Sequence, residues 1–135
     1  MARRFDEVQE GDELPVREVF LTKDQVRAYA RAANQLGARF MDDEGARREG
    51  LPGMITPGNM SMGLLTGLIE SWAGPGVLRR LGTTFRGLVL PDRTIRLCGA
   101  VTEKRGRDRT AELDVWLESD EGERLVIGTA TVALA

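Results

Sequence analysis

Apolar and polar positions follow two rhythms along this chain, one helical and one of period two. In "TKDQVRAYARAAN", Val26, Tyr29, Ala30 and Ala33 recur at i, i+3, i+4 and i+7, the spacing of one helix face. Thr22, with Gln25 three residues on, forms a capping-box signature that sets the helix start. The preceding stretch reads as a strand around residues 16–21. "DDEGARREG" predicts a short helix. Asp42 caps it, Asp43 and Glu44 fill the first turn, Arg47 and Arg48 the last, and Gly50 ends it. Both ends then complement the helix dipole.

"PGNMSMGLLTGLIESWAGPG" predicts the most apolar helix, over residues 59–72. Met60, Leu64, Leu65, Leu68, Ile69 and Trp72 cover more than one narrow stripe, which predicts burial on most sides. Gly63 and Gly67 each lower helix propensity by about 1 kcal/mol, so they predict another backbone passing close by. Beyond Val77 the period falls to two. "LGTTFRGLVL", "TIRLCGAVTEKR", "RTAELDVWLES" and "RLVIGTATVAL" read as four strands, joined in part by the Gly-containing turns "KRGRD" and "SDEGE". The predicted fold class is α+β. It is one domain over residues 1–135, an antiparallel sheet wrapped around a long central helix in the hotdog arrangement.

Composition narrows the function classes. A chain of 135 residues is long enough for one core, and a net charge of −2 with interspersed signs offers no field for nucleic acid. No apolar run is long enough to cross a membrane, and the basic start lacks the apolar segment of a signal peptide, so a soluble, cytoplasmic protein is expected. The chain has no histidine and one cysteine, Cys98, which reads as a packed strand residue. No metal site and no cofactor is expected, and Met54, Met60 and Met62 read as pliant core or pocket lining.

Several stretches together resemble a known family. "FDEVQEGDELP", "ITPGNMSMGLL", "WAGPGVLRRLGTTFRGLVLPDRTI" and "IGTATV" are similar, nearly end to end, to the MaoC-like or R-specific enoyl-CoA hydratase branch of hotdog proteins. That family carries an Asp-x-Asn-Pro-x-His motif in the loop after the first helix. In "ANQLGARFMDD" the Asp position falls on Gln35, the Asn on Gly37, the Pro on Ala38 and the His on Phe40. A second family histidine is replaced by Pro57, and only Gly58 of that pair remains. The resemblance implies a thioester site whose proton-transfer pair is missing, because an amide and a phenyl ring cannot act as general acid and base. It places Gln35, Arg39, Phe40, Pro57, Gly58, Asn59 and Met60 as candidate ligand contacts, with a thioester of coenzyme A or of a carrier protein as the ligand. Gly58 would present backbone N–H groups to a carbonyl.

Three functions stay open at this point. The first is a non-hydrating protein that binds acyl or enoyl thioesters, or supports a partner subunit. The second is an enzyme with repurposed chemistry in the cavity, such as cyclisation, isomerisation or elimination. The third is a hydratase or dehydratase using another carboxylate, Asp42 or Asp43. Asp42, Asp43 and Glu44 are otherwise explained by helix capping, Arg39 by solvation, and Glu70 as an exposed helix-end residue. An open sheet edge predicts a homodimer, or a heterodimer with another hotdog subunit.

Overall fold

The chain, a computed structural model describing residues 1–135, begins with an arm that lies along the sheet before the first strand. Strand β1 (Arg17–Leu21) leads to helix α1 (Lys23–Ala32), a single 3-10 turn (Ala38–Phe40), helix α2 (Asp43–Arg48) and the long helix α3 (Gly58–Ala73). Strands β2 (Leu78–Phe85), β3 (Arg93–Arg105), β4 (Thr110–Ser119) and β5 (Arg124–Ala133) complete it. All five strands form one antiparallel sheet in the order β1-β3-β4-β5-β2. The first two strands are thus the two edges. The helical segment between them has to cross the full width of the sheet, and that crossing lays α3 on one face.

Period-two patterning supplies that face. Leu97 stands opposite Leu117, which stands opposite Val126, and Val101, Leu113 and Ala130 align in the same way. These residues are buried and pack in one cluster with Leu65, Leu68, Ile69, Trp72 and Ala73 of α3. The arm adds Val8 and Leu14, held where the Leu14 N–H donates to the Gly99 carbonyl and the Gly11 N–H to that of Val101.

Both predicted caps form. The Thr22 hydroxyl accepts from the Gln25 N–H while the Gln25 side chain accepts from the Thr22 N–H, and Asp42 accepts from the Gly45 N–H. Of the α1 stripe, Val26 and Ala30 are buried, Tyr29 is half-buried and Ala33 is exposed. Asp43 is more than a first-turn acid. Its Oδ2 lies 2.7 Å from Lys23 Nζ and its Oδ1 accepts from the Met54 N–H at 2.9 Å, tying α1, α2 and the approach to α3 together. The hydrogen bond from Lys23, and then that from Met54, hold this carboxyl below its ordinary value of 3.8.

Three expectations are corrected. Helix α3 is not buried on most sides. Its inner stripe is covered by the sheet and its C-terminal end by the arm at Arg3, while Asn59, Gly63 and Glu70 on the opposite side are exposed. Nor does a backbone pass close to Gly63 or Gly67. An added Cβ at Gly63 would meet nothing within 4 Å, and at Gly67 only the Arg17 guanidinium at 3.8 Å. The strand predicted at 81–90 also shifts to Leu78–Phe85. The N–H groups of Arg86 and Gly87 both donate to the Leu125 carbonyl, at 2.8 and 3.0 Å, so the chain leaves the ladder there.

Ile69→Ala should destabilise the fold by about 2–5 kcal/mol, read from urea unfolding. A loss under about 1 kcal/mol would contradict the central place of α3. Asp43→Asn should lower thermal stability at neutral pH. The folded carboxyl titrates below its unfolded value, so its stabilisation is present above about pH 4 and lost as pH falls through the lowered value. The gap between wild type and Asp43→Asn should therefore shrink in acid, and a pH-independent gap would refute the linkage.

Candidate functional site

Three segments meet at the start of α3. The loop after α1 is joined to the segment that leads into α3 by a hydrogen bond from the Ile55 N–H to the Arg39 carbonyl, 2.9 Å. The segment after β2 joins it from the other side, where the Thr56 N–H donates to the Val89 carbonyl at 2.8 Å. Pro57 then caps α3 by position alone, with φ −58° and no side-chain bond. Its carbonyl accepts from the Met60 and Ser61 N–H groups, whereas those of Gly58 and Asn59 donate to no protein group. A 16-residue helix therefore presents two free donors at its positive end.

The absence of a side chain at Gly58 is used. A Cβ there would lie 2.9 Å from Cζ of Phe85, whose ring packs against the helix start although the residue is half exposed. Gly45 has the same role in α2, where a Cβ would meet that of Ala38 at 2.7 Å. This close approach seats the 3-10 turn that carries Phe40 against α2.

The predicted ligand contacts separate into groups. Pro57 is buried, Gly58 and Met60 are half-buried and Asn59 is exposed, all on the first turn of α3. Phe40 is half-buried and lies 3.9 Å from where a Cβ of Gly37 would be. The Gln35 amide oxygen is shielded from solvent and has no hydrogen-bond partner in the chain. Arg39 turns outward to Glu49, with Nε 2.7 Å from Oε2. Asp42 and Asp43 are engaged as described, and Glu44 pairs with Arg48.

Leu36, in the loop after α1, and Phe85 and Leu88, at the end of β2 and just beyond it, are large apolar residues left exposed. None of the five principal concavities of the single chain is lined by Gln35, Phe40, Pro57 or Gly58. One of these, about 440 Å³, lies on the outer face of the sheet between Arg80, Trp116 and Arg124. Cys98 is on that outer face too, with Sγ 3.2 Å from Glu118 Oε1. Burial, and then the Glu118 carboxylate, push its thiol up to about 11, so it is a packed residue and a poor nucleophile.

Sequence reasoning placed Phe85 correctly in a strand but ran that strand on to residue 90, and so missed the loop that begins at Arg86 and the packing of the Phe85 ring on the helix start. The signal was present in "RGL", where Arg86 and Gly87 interrupt the alternation. It also passed over Thr56 and Ser61, whose hydroxyls are buried without partners.

A family model described as "MaoC like domain" matches residues 6–123. Among solved structures, a MaoC-like dehydratase superposes with a TM-score of 0.94 at 27% identity, over 99% of this chain but only 43% of its own. The chain therefore spans less than half the length of that protein. The ChsH1-ChsH2 complex from Mycobacterium tuberculosis has a TM-score of 0.86 at 19% identity, covering 95% of this chain and 99% of the other. The (R)-hydratase from A. caviae has 0.88 at 20%, covering 95% and 98%. No curated protein sequence matches. The family model covers most of the chain and the sheet and helix superpose throughout, so this protein belongs to the MaoC-like domain family and has its hotdog fold.

Proposed function

We propose that this chain binds an acyl or enoyl thioester at the start of α3, does not hydrate it, and works as one subunit of a two-chain hotdog assembly. One observation carries the reading. Two backbone N–H groups at the positive end of the long helix are free to receive a carbonyl oxygen, and nothing beside them is fit to move a proton near neutrality. The nearby carboxylates are engaged elsewhere. Asp42 caps α2, and Asp43 is hydrogen-bonded to Lys23 and Met54. This leaves the Gln35 amide and the Phe40 ring at the positions where the family resemblance puts its acid and base. Carbonyl polarisation survives in such a site, while the general-base contribution, typically 10²–10⁴-fold, is gone.

The thioester carbonyl accepts from the Gly58 and Asn59 N–H groups, and the acyl chain runs over the exposed Phe85 ring. The carrier, coenzyme A or a carrier protein, extends into solvent. The single chain encloses no principal cavity at this point, which supports a second chain as the other wall. The outer side of β2 is an unpaired edge, and the flank of α3 at Gly63 and Gly67 is uncovered. A related subunit pairing with β2 would extend the sheet and cover both. The two-chain ChsH1-ChsH2 neighbour is in keeping with this arrangement.

Purified protein mixed with crotonyl-CoA should bind it, seen by calorimetry, yet hydrate it at least about 100-fold more slowly than an enzyme with the Asp and His pair. Hydration at that enzyme's rate would overturn the proposal. Sedimentation at micromolar concentration should show a dimer, or a monomer that becomes a heterodimer when co-expressed with a related hotdog subunit. A monomer indifferent to every such partner would rule out the assembly.

A further inference from the structure

A cavity of about 390 Å³ opens at the far end of α3, between the last turns of that helix, the arm and the start of β1. Leu68, Ser71 and Trp72 of the helix, Arg3 of the arm and residues 15–18 at the sheet edge line it. Ser71 lies about 20 Å along the helix from Gly58, so the cavity is separate from the thioester site. Two guanidinium groups are fixed on it. Arg3 Nε donates to the Trp72 carbonyl at 2.7 Å, and the guanidinium lies over the Trp72 ring, 4.9 Å from its centroid. Arg17 Nη2 donates to Ser71 Oγ, also at 2.7 Å.

Each of these bonds has a structural use. Arg3 closes the negative end of α3, where its backbone N–H also meets the Ala73 carbonyl at 2.7 Å. Arg17 stands opposite Leu97 in the ladder, an inward charge on an edge strand that discourages further strand pairing. Those uses take one nitrogen of each fork. Arg3 Nη1 and Nη2, and Arg17 Nε and Nη1, donate to no protein group. Neither arginine pairs with a carboxylate, in a chain with 21 acidic residues. Glu18, the carboxylate on the lining, alternates to the other face of β1, opposite Arg96, and bridges to neither. Two unpaired cations on one cavity repel each other, and an anion held by both relieves this. Most of the remaining wall is apolar. Leu68 and Trp72 are one turn apart and nearly covered, whereas Val16 is 57% exposed at the sheet edge.

We infer that this cavity binds a small amphiphilic carboxylate, its head held by the Arg3 and Arg17 forks and its apolar body laid against Trp72, Leu68 and Val16. A guanidinium matches a carboxylate with two parallel N–H donors, and both forks keep donors free for it. The apolar wall decides against a bare inorganic anion, which would leave that surface in water and gain nothing from it. This second site stands apart from the thioester reading, since none of its groups lies at the start of α3.

The test titrates hexanoate, hexanamide and inorganic phosphate, at constant ionic strength, into the Trp116→Phe protein, where Trp72 is the remaining indole and its fluorescence reports on the cavity. Hexanoate should give a saturable change at millimolar concentration and should raise the melting temperature of the wild-type protein. Hexanamide has the body without the charge and phosphate the charge without the body, and each should bind at least about tenfold more weakly. Arg17→Gln should weaken hexanoate by at least about tenfold, and Arg17→Lys, which keeps the charge but not the fork, should restore only part of the loss. Arg17 is exposed, so both variants should melt close to wild type, and the comparison of the three ligands needs neither. No saturable response to hexanoate, equal binding of hexanamide, or hexanoate binding unchanged in Arg17→Gln would overturn the site. Phosphate binding as tightly as hexanoate would overturn the amphiphilic carboxylate as its ligand.

Discussion

The organisation of this protein depends on where the positive end of α3 is placed. A helix that crosses a sheet from one edge to the other buries its side chains readily, but its first N–H groups have no partners inside the helix. Pro57 has no side chain able to cap them. The fold does not close this end with a serine or aspartate, although it does so for α1 and α2 through Thr22 and Asp42. Instead two flanking segments are fastened beside it, through the Ile55–Arg39 and Thr56–Val89 hydrogen bonds, and the Phe85 ring is laid on Gly58. Donors of fixed direction at a half-covered helix end are well suited to an oxygen that arrives with a ligand.

The same region explains why acid groups are close in sequence and remote in chemistry. Asp42 and Asp43 follow the loop that holds Gln35 and Phe40, yet each is committed to backbone or lysine partners. Lys23 and the Met54 N–H keep the Asp43 carboxyl ionised to lower pH, the opposite of what a general acid or base near neutrality requires. On the other side of the sheet, Glu118 accepts from Trp116 Nε1 and Cys98, and Arg124 stacks over the Trp116 ring at 4.0 Å. Those groups satisfy one another and leave no oxygen stranded.

Much of the fold was legible because it rests on local rules. The Thr22 and Asp42 caps, the Gly50 stop and the last three period-two strands each follow from a few neighbouring residues, and all are found. The reading of α3 was right in position and wrong in surroundings. Leu64 and Met60 resemble core residues in sequence, but a single sheet covers only one flank of a helix. Strand β2 was misplaced because Leu88 and Leu90 continue an apolar pattern past the point where the hydrogen-bond ladder ends.

The sequence by itself determined which helices are capped, which strand residues face inward, and that the loop at 33–41 contains no group able to shuttle a proton near neutrality. Those properties belong to residue identity and short-range spacing. Only the tertiary structure decided that Phe85 rests on Gly58, that the 86–92 segment bonds to Thr56, and that Thr56, Ser61 and Gln35 are hidden from water without partners. Burial and hydrogen-bond satisfaction depend on segments that meet from distant parts of the chain, and no local pattern records which ones will meet.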